Sequence, residues 1–392
     1  MEYSQIEIEN FKLKLMHGQS LDDLADLVNY VIEVQNQKEG TNYKPISAKR
    51  LKHYYANINK KYINFEIPKK TGGKRTITAP DKFLKKIQRR INLLLTLFFE
   101  PKHAAHGFLE NRSIVTNAKN HIGKKYVLNI DLKDFFPSIH FGRIKAVLQL
   151  DIFKVKSINL QSLDYNRFQN DEELLKWLNS QTEELMKIIG LQQYFHIQPE
   201  FAHIIANFCC FESKLPQGAP TSPIVTNIVS QRLDYKLVKL AKEYHCFYTR
   251  YADDITFSCD KNRFKEEFMT KLDEIIKSEG FVINDKKTRT QKKAVRQEVT
   301  GITVNEKLNL QRTYVKKVRA ALSNWEKHGY DKANAKFASY YPQEKGFLRN
   351  KTIPPMAAVL SGKIMFLGMV RGQEDALYLK YKNKLSELLK TK

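Results

Sequence analysis

Tyr248-Thr-Arg-Tyr-Ala-Asp-Asp-Ile-Thr-Phe257 is the stretch whose reading decides the fold. Tyr248 to Tyr251 and Ile255 to Phe257 are rich in aromatic and β-branched residues, the composition of short strands. Ala252-Asp253 is short enough to turn the chain between them. The segment therefore reads as a β-hairpin with Asp253 and Asp254 side by side at its tip. Aspartate is an ordinary turn residue, and taken alone the pair reads as a solvated turn. The sharper reading is that two carboxylates on a stiff hairpin offer Mg²⁺ the hard oxygen ligands it prefers.

Working outward, Lys125-Tyr-Val-Leu-Asn-Ile-Asp-Leu-Lys-Asp-Phe-Phe-Pro137 holds a largely apolar run, Tyr126 to Ile130, expected to be a buried central strand. Asp131 stands where it ends, and a buried carboxylate there calls for a cation or a hydrogen-bond network. Asp134, one turn on, is expected to be exposed. Leu215-Pro-Gln-Gly-Ala-Pro-Thr-Ser-Pro223 is a loop of fixed shape leading into a helix over about 224–244, with Pro223 in its first turn. Gln217-Gly218 in it could face a planar ligand or simply enter the helix. Phe264–Gly280 reads as an amphipathic helix, Phe281–Thr288 as a strand into a basic turn, and Glu298–Val304 as a strand interrupted by a glycine.

Further out, Tyr62–Ile67 and Arg75–Thr78 read as strands around a Gly-Gly turn laden with Lys and Arg. Such a hairpin is either a lysine-protected edge or a grip for phosphates. Residues 81–100 form an amphipathic helix, and Ser113 is placed to cap the next one. Residues 1–60 read as mostly helical, 145–206 as helical with a polar centre around 157–185, and 310–392 as helical and basic.

The chain of 392 residues carries a net charge of +24, of which +15 lies in residues 281–392. That excess suggests a polyanionic partner. Cys209, Cys210, Cys246 and Cys259 form no CxxC pair, so zinc is not expected. The N-terminus lacks the pattern of a signal peptide, and the apolar run at Ile91–Phe99 is too short to span a bilayer. A soluble, cytosolic protein with no membrane association is the expectation.

In order, these segments resemble the reverse transcriptases, and among them the bacterial retron type. Tyr251-Ala-Asp-Asp254 resembles the catalytic motif, Leu128–Phe136 the first-aspartate motif, Leu215–Pro223 the Gln-Gly loop, and Phe281–Thr288 the Lys motif. Asn117-Ala-Lys-Asn-His121 and Val299-Thr-Gly301 fit two patterns of the retron subgroup, and Leu360–Phe366 resembles its thumb segment. The resemblance covers about residues 62–305 and thins over 1–60 and 150–205.

It implies an α+β right-hand polymerase fold, with an antiparallel palm sheet carrying helices on one face. The expected division is an N-terminal helical segment (1–60), fingers and palm (61–305, with 150–205 as an insertion) and a basic helical thumb (306–392). The implied activity is RNA-directed DNA polymerisation with two Mg²⁺ ions held by Asp131, Asp253 and Asp254, Asp254 being the less essential. Lys287, or Lys286 beside it, is the implied acid for pyrophosphate. Lys69 or Lys70 and Arg75 would hold the triphosphate, Phe136 would act as a steric gate against ribonucleotides, and Gln217 and Gly218 would lie against the templating pair. Asn117 and His121, at helical spacing, would recognise the retron's RNA or brace the palm; Val299, Thr300 and Gly301 would approach the primer end or that RNA.

The implied partners are dNTPs, a structured non-coding RNA, its branched, 2′-OH-primed DNA product, and a separately encoded effector or toxin in anti-phage defence. Two alternatives stand beside this: a bacterial defence reverse transcriptase with different priming, and a nucleic-acid-binding scaffold restraining a toxin. A group II intron maturase is not expected, for want of room for an endonuclease module.

Overall fold

The computed structural model describes residues 3–68, 72–150, 152–154, 194–345, 348 and 352–390. Lys69, Lys70 and the polar centre expected around 157–185 lie outside the described residues. In chain order the elements begin with α1 (Gln5–His17), α2 (Leu21–Glu39), α3 (Ala48–Ala56), β1 (Tyr62–Pro68), β2 (Lys74–Pro80), α4 (Lys82–Phe98), α5 (Ile114–Lys119) and β3 (Tyr126–Asp131). There follow α6 (Phe141–Leu148), β4 (Phe153–Lys154), β5 (Tyr194–Phe195), α7 (Pro199–Cys209), α8 (Ser222–Val229), α9 (Gln231–Glu243), β6 (Phe247–Tyr251) and β7 (Asp254–Cys259). The chain continues with α10 (Glu266–Ser278), β8 (Arg289–Lys292), β9 (Glu298–Val299), β10 (Ile302–Thr303), α11 (Arg312–His328), α12 (Tyr330–Lys345), α13 (Met356–Arg371) and α14 (Ala376–Lys390). Two compact units result: residues 1–64, 77–101 and 136–229, and residues 65–76, 102–135 and 230–392.

In the first unit, side-chain caps start the helices by satisfying N–H groups that have no helical partner. Ser20 and Asp23 form a capping box at α2, and Asp81 accepts the Leu84 N–H at 2.8 Å to open α4. Leu24, Leu27, Val28 and Val31 of α2 and Leu84, Ile87, Ile91, Leu94 and Leu95 of α4 fill the core, as their spacing predicts.

The second unit is built on a four-stranded antiparallel sheet in the order β6-β7-β3-β8. Tyr248, Phe257 and Leu128 lie on one face, where the Phe257 ring meets Phe268 of α10 at 5.3 Å. The opposite face carries Thr249, Thr256, Ser258 and Asn129. Helices α11–α14 bury Val318, Leu322, Trp325, Phe337, Leu360, Ile364 and Leu385 in one cluster with Val299, Ile302 and Val304. Among the described residues no helix is long and apolar enough to cross a membrane.

Three local expectations are corrected. The helix over 224–244 is two helices, one ending at Val229 and the next starting at Gln231, with Ser230 between them. The residues of α8 are buried nearly all round, whereas α9 buries one stripe, so the two pack differently. Glu298–Val304 is a tight hairpin rather than one strand: Thr300 (φ 47°) and Gly301 (φ 85°) both take the left-handed conformation that such turns require. Phe281–Thr288 is an anchored loop with a single bridge, Ile283 to Leu132. Its Phe281 ring packs on Phe135, Asn284 N–H binds the Asp131 carbonyl at 2.8 Å, and β8 takes up the pairing edge.

Candidate active site

Asp131, the last residue of β3, lies directly opposite Asp254, the first of β7. The alternation of a strand puts both side chains on the polar face, with Asn129, Thr249 and Thr256. Ala252-Asp253 forms the two-residue connection, with Ala252 left-handed at φ 56°. The Asp253 carbonyl accepts the Leu132 N–H at 3.1 Å, which stitches the hairpin tip to the end of β3. Pairing register thus brings three carboxylates from positions more than a hundred residues apart into one neighbourhood.

Asp131 is 8% exposed and fully engaged: Lys287 Nζ donates to Oδ1 at 3.0 Å and to Oδ2 at 2.8 Å, and Asn284 Nδ2 donates to Oδ1 at 3.0 Å. Of the two lysines in the basic turn, Lys287 is the one that reaches Asp131. Its pKa is raised, first by the hydrogen bond to Asp131 and further by the nearby Asp131, Asp253 and Asp254 charges, so it stays protonated. Asp253 is also held above the usual carboxylate range by desolvation and by Asp131, against the pull of Lys287 and Arg75. Asp254 reaches the surface, yet desolvation of its carboxylate, then Asp253 and Asp131, push it up to about 7. Three acids with one bonded lysine are short of positive charge.

That shortage, with a purely carboxylate donor set, fits a hard divalent cation. The set is not closed: among the described residues no three His, Cys, Asp or Glu side chains already converge on one point. Asp131 is instead turned to Lys287.

Beneath the tip lies a second charged group that the sequence reading missed. Arg250, 0% exposed, makes a forked ion pair with Asp234 of α9, with Nε–Oδ1 and Nη2–Oδ2 both at 2.7 Å. Tyr248 Oη donates to the same Asp234 at 2.7 Å, and Arg250 Nη1 donates to the Ala252 carbonyl at 3.3 Å. The guanidinium therefore clamps the residue before Asp253. The signal was an acid on the apolar stripe of α9, three residues before Leu237 and seven before Ala241. Gly107 was missed too: a Cβ there would stand 2.6 Å from the Ala252 nitrogen, so only glycine lets that loop lie against the turn.

His121 lies beyond the end of α5, not on its face with Asn117, because that helix stops at Lys119. Both residues are 0% exposed. The imidazole bridges the sheet, with Nδ1 2.6 Å from Ser258 Oγ and Nε2 2.7 Å from Thr249 Oγ1. Asn117 Nδ2 donates to Thr300 Oγ1 at 3.5 Å, and Val299 is buried in the C-terminal helical core, so the Asn117–His121 and Val299–Gly301 segments pack together. Both side chains are turned into the protein, His121 across the sheet and Asn117 toward the Thr300 turn. Exposed Arg75 sits in the same unit as the carboxylates and acts on Asp253 through its charge.

Phe136, Gln217 and Gly218 belong to the first unit. Phe136 is half-buried in the turn after β3. The Gln217 carbonyl accepts the Thr78 N–H at 3.0 Å, and Gly218 (φ 139°) has no room for a Cβ, which would meet Ile77 Cγ2 at 2.8 Å. The Gln-Gly loop is thereby fastened to β2.

A family model described as "Reverse transcriptase (RNA-dependent DNA polymerase)" matches residues 67–304. The retron Mx65 reverse transcriptase of Myxococcus xanthus is 34% identical over 77% of this chain and 66% of its own length. The retron Mx162 reverse transcriptase of the same organism is 34% identical over 68% of this chain and 53% of its own length. The chain thus spans between half and two thirds of those two relatives. The retron Ec86 reverse transcriptase of Escherichia coli is 31% identical over 71% of this chain and 74% of its own length. On these matches the protein belongs to the reverse transcriptase family, and within it to the retron reverse transcriptases.

Proposed function

We propose that this chain is an RNA-directed DNA polymerase that copies a structured non-coding RNA into a short single-stranded DNA in the bacterial cytoplasm. Priming from an internal 2′-OH of that RNA leaves a branched RNA–DNA product, and the system serves anti-phage defence with a separately encoded effector. The observation that carries the reading is the register that sets Asp131 opposite Asp254, with Asp253 at the turn between them. In this reading residues 1–60 are an N-terminal segment, 61–305 fingers and palm, and 306–392 the thumb.

Asp131, Asp253 and Asp254 would hold two Mg²⁺ ions, which supply charge stabilisation at the attacking and leaving oxygens when bound. Asp131 and Asp253 carry most of that task, and Asp254 the outer, lesser share. Lys287, kept protonated beside the carboxylates, exchanges Asp131 for the departing pyrophosphate and gives it a proton. Arg75 with Lys69 or Lys70 holds the triphosphate, Gln217 and Gly218 lie along the templating pair, and Phe136 excludes the ribose 2′-OH. His121 braces the sheet, and Asn117 ties its helix to the Thr300 turn.

Asp253→Asn is expected to lower primer extension by about a thousandfold or more while RNA binding stays near the parent's. Full extension by that variant in Mg²⁺ sinks the assignment. Phe136→Ala is expected to raise ribonucleotide incorporation, read from alkali-labile sites in the product; an unchanged product removes the gate role. Sequencing the co-purified nucleic acid tests priming, since an unbranched product points to a different defence reverse transcriptase.

A further inference from the structure

The positive charge is not confined to the C-terminal helices. Residues 44–90 carry 15 Lys and Arg against two acids, a net +13 in 47 residues. Apart from these and residues 281–392, the chain is net −4. Both acids are committed: Asp81 caps α4 and accepts Tyr54 Oη at 2.8 Å, and Glu66 pairs with Lys74. Lys44, Lys49, Arg50, Lys60, Lys82, Lys86 and Arg89 are all exposed, and no carboxylate of a described residue forms an ion pair with any of them. Among the described residues of α3, the turn after it and α4, only Lys52 has such a partner, Asp22 at 2.8 Å.

These cations share one surface of the first unit. On α4, Lys82, Lys86 and Arg89 follow helical spacing, so they form a single stripe on the exposed side. The Arg50 guanidinium of α3 lies 3.9 Å from the Phe83 ring centre, beside the start of that stripe. Lys61 stacks over Tyr54 at 4.7 Å, and Tyr54 meets Phe83 at 4.5 Å. Farther along α4, Arg90 lies 4.8 Å from the exposed Tyr43 ring, next to Lys44. A folded protein gains nothing in stability from crowding unpaired cations. The crowding is useful when a polyanion supplies the counter-charge.

We propose that α3, the turn after it and the exposed side of α4 form a phosphate-binding surface for RNA, with Tyr43 offering a ring for stacking. The inference rests on the reading of the chain as an RNA-copying enzyme, and gives its otherwise unexplained N-terminal segment a task. None of these residues belongs to the carboxylate centre or its nucleotide-binding set. An anionic membrane is the poorer occupant, because the side chains between the cations are polar or aromatic rather than a broad apolar face.

The test uses the full chain and a fluorescein-labelled RNA hairpin. The Lys82→Gln/Lys86→Gln/Arg89→Gln variant is expected to bind about tenfold more weakly near physiological salt. The slope of log affinity against log salt becomes shallower by about two. Extension of a pre-annealed DNA primer on a short RNA template, at saturating template, stays within about twofold of the parent, a range that separates binding from chemistry. A second variant, Lys49→Gln/Lys60→Gln, changes the same two binding readouts in the same direction and guards against a fold defect in the first. Unchanged affinity and slope in both variants overturn the proposal, as does a loss of binding to phosphatidylserine vesicles with RNA binding intact. If the parent binds the hairpin in this way yet extends no primer, the polymerase reading fails and this surface stands.

Discussion

Two clusters of acid and base meet at one hairpin and behave oppositely. At the tip, Asp131, Asp253 and Asp254 crowd together with Lys287 as the bonded cation, and the pKa values of Asp253 and Asp254 rise. Just below, Asp234 and Arg250 form a buried forked pair, with Tyr248 on the same carboxylate. The lower cluster is satisfied from within the protein; the upper one is left short of positive charge, which a divalent cation would supply. The difference teaches where this sheet keeps its rigidity and where it keeps its reactivity.

The sharpest way to break that contrast is at Arg250. Arg250→Met leaves Asp234 buried without its partner and should destabilise the fold by about 3–5 kcal/mol, measured by urea unfolding. Removing both charges in Asp234→Leu/Arg250→Met should restore most of that. A single variant as stable as the parent would mean the pair is not the brace described.

Next in size is a pH effect. Burial holds His121 down to about 3 and His106 down to about 4, both from an ordinary 6.5. Both rings are neutral in the folded chain and take up a proton below pH 6.5 only on unfolding. The contribution of these two rings is therefore complete above pH 6.5 and is lost as pH falls, by about 1.4 kcal/mol per unit for each ring, until each folded value is reached, while Asp254, raised to about 7, offsets part of that loss over the same window. Urea midpoints from pH 7 to pH 5 should show the slope, and His121→Asn should make it shallower. A flat profile would mean that water reaches the His121 ring.

The smallest effect has the opposite sign. Asp254→Asn removes one of three repelling charges, so it should raise Tm by about 1–3 °C while lowering primer extension. A fall in Tm would place Asp254 among the braces instead.

Much of this was legible in the sequence because it is local. Alternation and a two-residue turn gave the hairpin, an apolar run ending in Asp131 gave the central strand, and Ser113 announced its helix. What could not be read is what depends on partners far along the chain. Nothing near Arg250 says that its counter-ion is Asp234, on the preceding helix. His121 looked like a residue on a helix face, but that helix ends two residues earlier and the ring turns into the sheet. Ser230 breaks a helix whose periodicity runs through it unchanged, because packing differs on its two sides. The hairpin at Thr300-Gly301 was hidden because strands of two residues leave too short a pattern to recognise.

The pairing of β3 with β7 carries one further consequence. Side chains alternate faces along a strand, so sliding β3 by a single residue would turn Asp131 to the far side of the sheet and bring Leu132 round in its place. No intermediate offset brings the carboxylates partly together. Errors in assembling this sheet should therefore yield molecules that are either fully competent or inert, and a partly misfolded sample should lose active molecules rather than speed per molecule.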